Sequence, residues 1–153
     1  MKNILIIASL FFSLTLFAQT NIYKGNSTSY FDVLYNINGD KIFRGGSTSF
    51  TDIQFTIKDG KFYKDQSISF TDIHYTVKGN IIYRGNSTSF TDVLYTISNG
   101  KIYKGESTSF VDCLLTVRGN KIYHGDANSF SNILATFDKE IDISIIAVLF
   151  GPY

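Results

Sequence analysis

Hydrophobic and polar residues follow one another along this chain in a pattern that returns every 20 residues. If Ile22 is counted as position 1, the pattern restarts without insertion or deletion at Ile42, Phe62, Ile82, Ile102 and Ile122. A fixed period of this kind is typical of repeat proteins, in which each unit buries its hydrophobic face against its neighbours. We therefore expect one repeat domain over residues 19–141.

Within each repeat, positions 12, 14 and 16 form an apolar row. In the fourth repeat these residues are Val93, Tyr95 and Ile97, with Leu94 and Thr96 between them. A period of two with β-branched and aromatic residues predicts a strand with one face better buried than the other.

A tight turn follows each of these predicted strands, for example Asn99-Gly100, and the next strand begins at once. Asn-Gly, Asp-Gly and Gly-Asn pairs tolerate the positive φ angles of two-residue hairpin turns. Such a turn places Ile97 opposite Ile102 and Tyr95 opposite Lys104. The fold class is therefore all-β, with six 20-residue β-hairpin repeats and twelve short strands.

Three arrangements of six hairpins fit this pattern: a closed, shallow twelve-stranded barrel, an open β-solenoid, and a propeller with two-stranded blades. A solenoid needs terminal repeats that differ from the others and act as caps. The first repeat is nearly standard, and only the last one departs, at Ala127, Asn128, Asn132 and Asp138-Lys139-Glu140. The pattern favours the closed barrel, and the open solenoid is kept as the alternative.

The final segment, residues 142–153, leaves the repeat and is strongly apolar. Asp142 can cap a helix over Ile143–Phe150, Gly151 can end it, and Pro152 prevents its continuation. A helix that is apolar on all sides is expected to be buried, and a barrel of more than eight strands leaves space inside that must be filled. We predict that this segment packs in the core as a plug. A final strand is the alternative, since Ile and Val favour sheets.

Residues 1–18 have the composition of a signal peptide. Lys2 precedes an apolar run from Ile4 to Phe17, and Ala18 is followed by a polar residue. This pattern indicates export, so we expect a protein that is secreted, periplasmic or on the cell surface, and not membrane-spanning after cleavage. The ending of this segment, Leu-Phe-Ala-Gln-Thr, resembles those of secreted bacterial proteins, and this resemblance implies a bacterial source. The rival interpretation is an uncleaved membrane anchor.

Charge and composition exclude several functions. Removal of Lys2 leaves 13 basic and 13 acidic side chains, so the mature chain has no net charge for nucleic-acid binding. Nearly every polar residue recurs in five or six repeats, whereas catalysis requires unlike residues at one place. No His or Cys cluster has the spacing of metal ligands, and no motif indicates a cofactor. We predict a protein that is not an enzyme and has neither metal nor cofactor.

Two polar series remain as candidate sites. Position 3 is basic in all repeats, and a closed array would arrange these residues as a ring able to receive phosphate or carboxylate groups: Lys24, Arg44, Lys64, Arg84, Lys104 and His124. Alternatively, these side chains extend past aromatic residues and pair with acids. Position 11 is Asp in five repeats. Calcium or sugar sites are one hypothesis for this series, and hydrogen bonding within a Ser-x-Ser-aromatic-x-Asp turn is the favoured one.

The array over residues 22–141, followed by the apolar segment Ile143–Phe150, resembles β-flower repeat proteins and the barrel of Tubby C-terminal domains. The first resemblance implies a shallow symmetric barrel. The second implies phosphoinositide headgroup binding, but no motif carries a residue over. We expect a secreted binding module for an anionic or lipidic ligand, with a lipid headgroup, a glycan or a cell-surface component as partner. A structural or adhesive surface protein and a lectin are the alternatives.

Overall fold

The computed structural model describes residues 19–152, which form twelve antiparallel strands, one α-helix and a short 3-10 helix in each of the six long loops. The predicted signal peptide, residues 1–18, lies outside the described residues. The elements are β1 (Thr20–Lys24), β2 (Val33–Asn38), β3 (Lys41–Arg44), β4 (Ile53–Lys58), β5 (Lys61–Lys64), β6 (Ile73–Lys78), β7 (Ile81–Arg84), β8 (Val93–Ser98), β9 (Lys101–Lys104), β10 (Cys113–Arg118), β11 (Lys121–His124), β12 (Ile133–Phe137) and α1 (Ile143–Phe150).

Five hairpins join β2 to β3, β4 to β5, and so on to β10 and β11, through two-residue turns. In the fourth repeat, Ile97 pairs with Ile102 and Tyr95 with Lys104, as predicted. The backbone of Asn99 has φ 51° and that of Gly100 has φ 73°, which are the left-handed angles that such turns require. The turn residues therefore determine the register of each hairpin.

The sheet closes because β1 pairs with both β2 and β12. At the closing pair, Ile22 lies opposite Phe137 and Lys24 lies opposite Ala135. The sixth hairpin is thus completed by the first strand of the chain rather than by a turn. The structure is a closed barrel, and neither the open solenoid nor the propeller is correct.

Side chains of the first and last repeats secure this closure. The carboxylate of Asp138 accepts hydrogen bonds from the backbone N–H of Asn21 at 2.9 Å and from its side-chain amide at 3.1 Å. Asn36, which is buried, donates in turn to the side chain of Asn21 at 2.9 Å. The other repeats carry Thr at the position of Asn36. The terminal repeats therefore depart from the repeat pattern where they meet, and the departures replace a missing turn with side-chain hydrogen bonds.

A β-bulge changes which residues of the predicted apolar row face the core. In the fourth repeat Ile82 pairs with Tyr95 but Tyr83 pairs with Val93, so the register shifts by one residue. Leu94 and Tyr95 both join the core cluster, whereas Val93 lies beside Tyr83 on the outer face. The prediction that Val93 shares the inner face was wrong because a bulge places two residues opposite one and reverses the alternation.

The core lies between the inner face of the barrel and α1. The six residues at position 1 are between 0% and 2% exposed, and Ile146 and Ala147 of α1 are 0% exposed. Asp142 caps the helix, accepting a hydrogen bond from the backbone N–H of Ser144 at 2.8 Å, as expected. The helix prediction is confirmed, and the alternative of a final strand was wrong.

The single helix inside the barrel breaks the six-fold symmetry of the repeats, and the residues at position 14 differ from repeat to repeat where they face it. This position is aromatic in the first four repeats and smaller in the last two: Tyr35, Phe55, Tyr75, Tyr95, Leu115 and Ala135. Tyr95 approaches Gly151 at the end of α1 so closely that a Cβ there would collide with its hydroxyl group. The unequal residues at position 14 therefore give the inner face an asymmetry that matches a single helix.

The long loops at positions 4 to 11 fold back over the outer wall of the barrel. In four pairs of successive repeats, and between the sixth and the first, a Thr hydroxyl at position 15 donates to the position 4 carbonyl at 2.7 or 2.8 Å. The aromatic residues at position 2, on the outer face, are 9% exposed or less. These aromatic side chains are therefore buried on the outer wall of the barrel and are not exposed to stack on a ligand.

Candidate functional site

The six residues at position 3 form a ring at one end of the barrel, which we call the loop end because the long loops begin there. Each is the last residue of its strand, two residues after a buried position 1, so it lies on the inner face. Each also lies opposite an inner-face residue at position 14 of the neighbouring strand. We refer to this set as the basic ring: Lys24, Arg44, Lys64, Arg84, Lys104 and His124.

All six side chains of the basic ring are exposed, and none forms an ion pair with another described residue. The ion pairs of the described residues join Lys41 to Asp40 and Lys101 to Asp126. Burial raises the pKa of the Tyr75 phenol, and the charge of Arg84 opposes this effect. The ring thus lies beside aromatic residues, as the alternative interpretation expected, but without the acidic partners which that interpretation requires.

The C-terminal end of α1 points toward the loop end. The ring of Phe150 lies 5.8 Å from that of Tyr35, and Gly151 lies against Tyr95, both at position 14. Carbonyl groups at a helix C-terminus carry a partial negative charge of roughly half an elementary charge, which nearby cations complement. The five Lys and Arg residues of the ring carry more positive charge than this partial charge can balance.

The Asp residues at position 11 are explained by the turn that contains them. Within each of the first five repeats, the Ser at position 6 donates to the Asp carboxylate at 2.5–2.6 Å. The sixth repeat carries Ala127 and Asn132 at these two positions and lacks the bond. The favoured hypothesis of a hydrogen-bonded turn is confirmed, and the described residues contain no cluster of three or more potential metal ligands.

A cavity of about 160 Å³ lies away from the basic ring, between the start of α1 and the wall. It is lined by Ile57, Gly60, Phe62, Val77, Asp142, Ser144 and Ile145. Gly60 belongs to a hairpin turn, so this cavity is at the opposite end of the barrel, which we call the tip end. The cavity and the basic ring therefore lie at opposite ends of the barrel.

Sequence reasoning missed the exposure of the aromatic residues at position 9. We call these residues the aromatic collar, and each is between 66% and 74% exposed: Tyr30, Phe50, Phe70, Phe90, Phe110 and Phe130. A signal was present, because an aromatic residue recurs in every repeat within a polar loop rather than within a strand. Recurrence alone does not distinguish a buried anchor from an exposed contact residue.

The comparison with protein families agrees with this architecture. Residues 12–80 match the model of a family described as 6-fold beta flower protein. The chain is thus similar to six-fold β-flower proteins. The match covers the first repeats, and the remaining repeats continue the same 20-residue pattern to the closing strand.

No curated protein and no solved structure matched the chain. Among residues 19–152, no helix has the length and apolar character needed to cross a membrane.

Proposed function

We propose that the protein is a secreted, non-catalytic binding module whose basic ring receives an anionic group, a phosphate or a carboxylate. One observation carries the proposal: six basic positions converge at one end of a closed barrel, exposed and without acidic partners among the described residues. Several donors that converge on one small area suit a ligand with several anionic oxygens. Export follows from the composition of residues 1–18 and is part of the same proposal.

The anionic group belongs either to a small molecule or to a lipid headgroup. The resemblance to Tubby C-terminal domains, which bind phosphoinositide headgroups, agrees with either source but supplies no residue. Inorganic tripolyphosphate and vesicles containing anionic phospholipid are the two probes that distinguish them. Binding of both probes indicates a headgroup ligand, and binding of tripolyphosphate alone indicates a small anion.

The test is isothermal titration calorimetry with tripolyphosphate at low ionic strength, where exposed charges are least screened. The ring variant carries Lys24→Gln, Lys64→Gln and Lys104→Gln. The matched control carries Lys58→Gln, Lys78→Gln and Arg118→Gln, which removes the same charge from exposed residues at the tip end.

We expect the ring variant to bind at least about tenfold more weakly and the control to bind like the wild type. Increasing salt should weaken wild-type binding, because the contacts are between charges. The proposal fails if the wild-type protein releases no heat, or if the two variants lose affinity equally.

A further inference from the structure

The six long loops differ sharply in charge from the basic ring that they surround. They span residues 25–32, 45–52, 65–72, 85–92, 105–112 and 125–132, and contain no Lys, Arg or His. Their carboxylates are Asp32, Asp52, Asp65, Asp72, Asp92, Glu106, Asp112 and Asp126, of which Asp126 is paired with Lys101. In a chain whose acidic and basic side chains nearly balance, this separation of charge makes the loops an acidic surface.

The same loops carry every large hydrophobic side chain that is exposed among the described residues. Six form the aromatic collar, and the others are Phe31, Ile68 and Val111. Phe31 and Val111 are 96% and 81% exposed at a position where the other repeats have Thr or Ser. Exposed apolar residues concentrated on one part of a surface indicate an interaction site.

The loop surface is preformed. Tyr30 donates its hydroxyl hydrogen to the carbonyl of Gly46 in the next loop at 3.3 Å, and the Gln66 amide donates to the carbonyl of Phe50 at 2.9 Å. Within the first five loops the Ser–Asp hydrogen bond holds the turn. Because these loops are already ordered, binding there costs little conformational entropy.

Each of the first five loops places a carboxylate two residues after an exposed aromatic ring, as with Phe70 and Asp72. The Ser hydroxyl of the turn occupies Oδ2 of the Asp, and no described residue donates to Oδ1. An aromatic face attracts Lys and Arg side chains, and a carboxylate nearby strengthens the attraction. This pairing favours a cationic partner at the loops.

We propose that the six long loops form a docking surface for a cationic polypeptide segment in which Lys or Arg alternates with apolar residues. The apolar residues pack on the aromatic collar, and the cations meet the loop carboxylates. Five similar subsites around the barrel, with a sixth in which Asn132 replaces the Asp, multiply contacts that are individually weak. This surface lies outside the basic ring and shares no residue with it.

The test uses fluorescence anisotropy of a labelled Lys-Phe repeat peptide, with Glu-Phe and Lys-Ser repeat peptides of equal length as controls. The collar variant carries Phe50→Ser, Phe70→Ser and Phe90→Ser. The charge variant carries Asp65→Asn and Glu106→Gln, and its matched control carries Asp59→Asn and Glu140→Gln at the tip end. All four carboxylates are exposed.

We expect the wild-type protein to bind the Lys-Phe peptide in preference to both control peptides. The collar variant should bind about tenfold more weakly, the charge variant several-fold more weakly, and the matched control like the wild type. Binding of tripolyphosphate should be unchanged in the collar variant, which separates this surface from the basic ring.

Three results would overturn the inference. The first is no binding of the Lys-Phe peptide, or equal binding of the Glu-Phe peptide. The second is an equal loss of affinity in the charge variant and its matched control. The third is a wild-type mass above that of one chain, by light scattering, which the collar variant abolishes. That result would assign the collar to contacts between copies of the protein.

Discussion

The contribution of the Ser–Asp hydrogen bond to stability can be measured in the long loops, because one repeat of the same protein lacks this bond. Ser67 donates to Asp72 at 2.6 Å, and both residues are partly buried. The sixth repeat has Ala127 and Asn132 instead, yet it keeps the same short 3-10 helix, Phe130–Asn132. The bond therefore stabilises the turn without being essential for it.

The magnitude follows from the charge and exposure of the pair. A hydrogen bond to a charged group contributes about 1.5–3 kcal/mol when it is shielded from water. Partial exposure reduces this contribution, so we expect Ser67→Ala to destabilise the fold by about 1 kcal/mol. For a domain of this size, that change lowers the melting temperature by about 3–5 °C.

A double-mutant cycle with Ser67→Ala and Asp72→Asn isolates the pair, because the second change should cost little once the first is made. Urea unfolding of the four proteins supplies the free energies. The reverse experiment installs Ala127→Ser and Asn132→Asp in the sixth repeat, where we expect a gain of about 0.5–1 kcal/mol.

A coupling energy below about 0.3 kcal/mol in the cycle would refute the claim that the recurring Ser–Asp hydrogen bond stabilises the fold. A loss of stability on installing the pair in the sixth repeat would also refute it. Either result would reopen the question of why the Asp recurs in five repeats.

Two further predictions concern the inner face of the barrel. Replacing the fully buried Ala135 by Tyr, the residue of three other repeats at this position, should cost about 1–3 kcal/mol in urea unfolding, because Ala135 shares one core cluster with α1. An unchanged free energy of unfolding would show that the small residue at this position is not needed to accommodate the helix. Burial raises the pKa of Tyr75, so the unfolded chain loses this proton first as the pH rises through about 10, and stability should fall above that pH. Unfolding at about pH 9 and pH 11 should show a smaller alkaline loss for Tyr75→Phe than for the wild type, and equal losses would contradict the assignment.

Local chemistry in the sequence was sufficient for the elements of this fold. Pairs such as Asn99-Gly100 supply the backbone angles of the hairpin turns, so the turns and the register of each hairpin were predictable. Asp142 and Pro152 likewise bracket the helix. These features depend on residues a few positions apart, for which propensity and pattern are informative. The positions of the basic ring were also predictable, since they follow from the period alone.

Only the tertiary structure decided how the hairpins assemble and what each repeated residue faces. Closure depends on the pairing of β1 with β12, more than a hundred residues apart, and on strand tilt, which no single repeat encodes. The bulge that moves Val93 to the outer wall changes the face of a residue without changing the sequence pattern.

The aromatic collar shows the same limit. Phe70 and Tyr63 recur with similar regularity, yet the first is 71% exposed and the second 8%. The two residues differ in exposure because Tyr63 lies on the outer wall beneath a long loop, whereas Phe70 lies in a loop itself. Burial is a property of the assembled chain, so a repeat read by itself specifies which residues recur but not which of them meet the solvent.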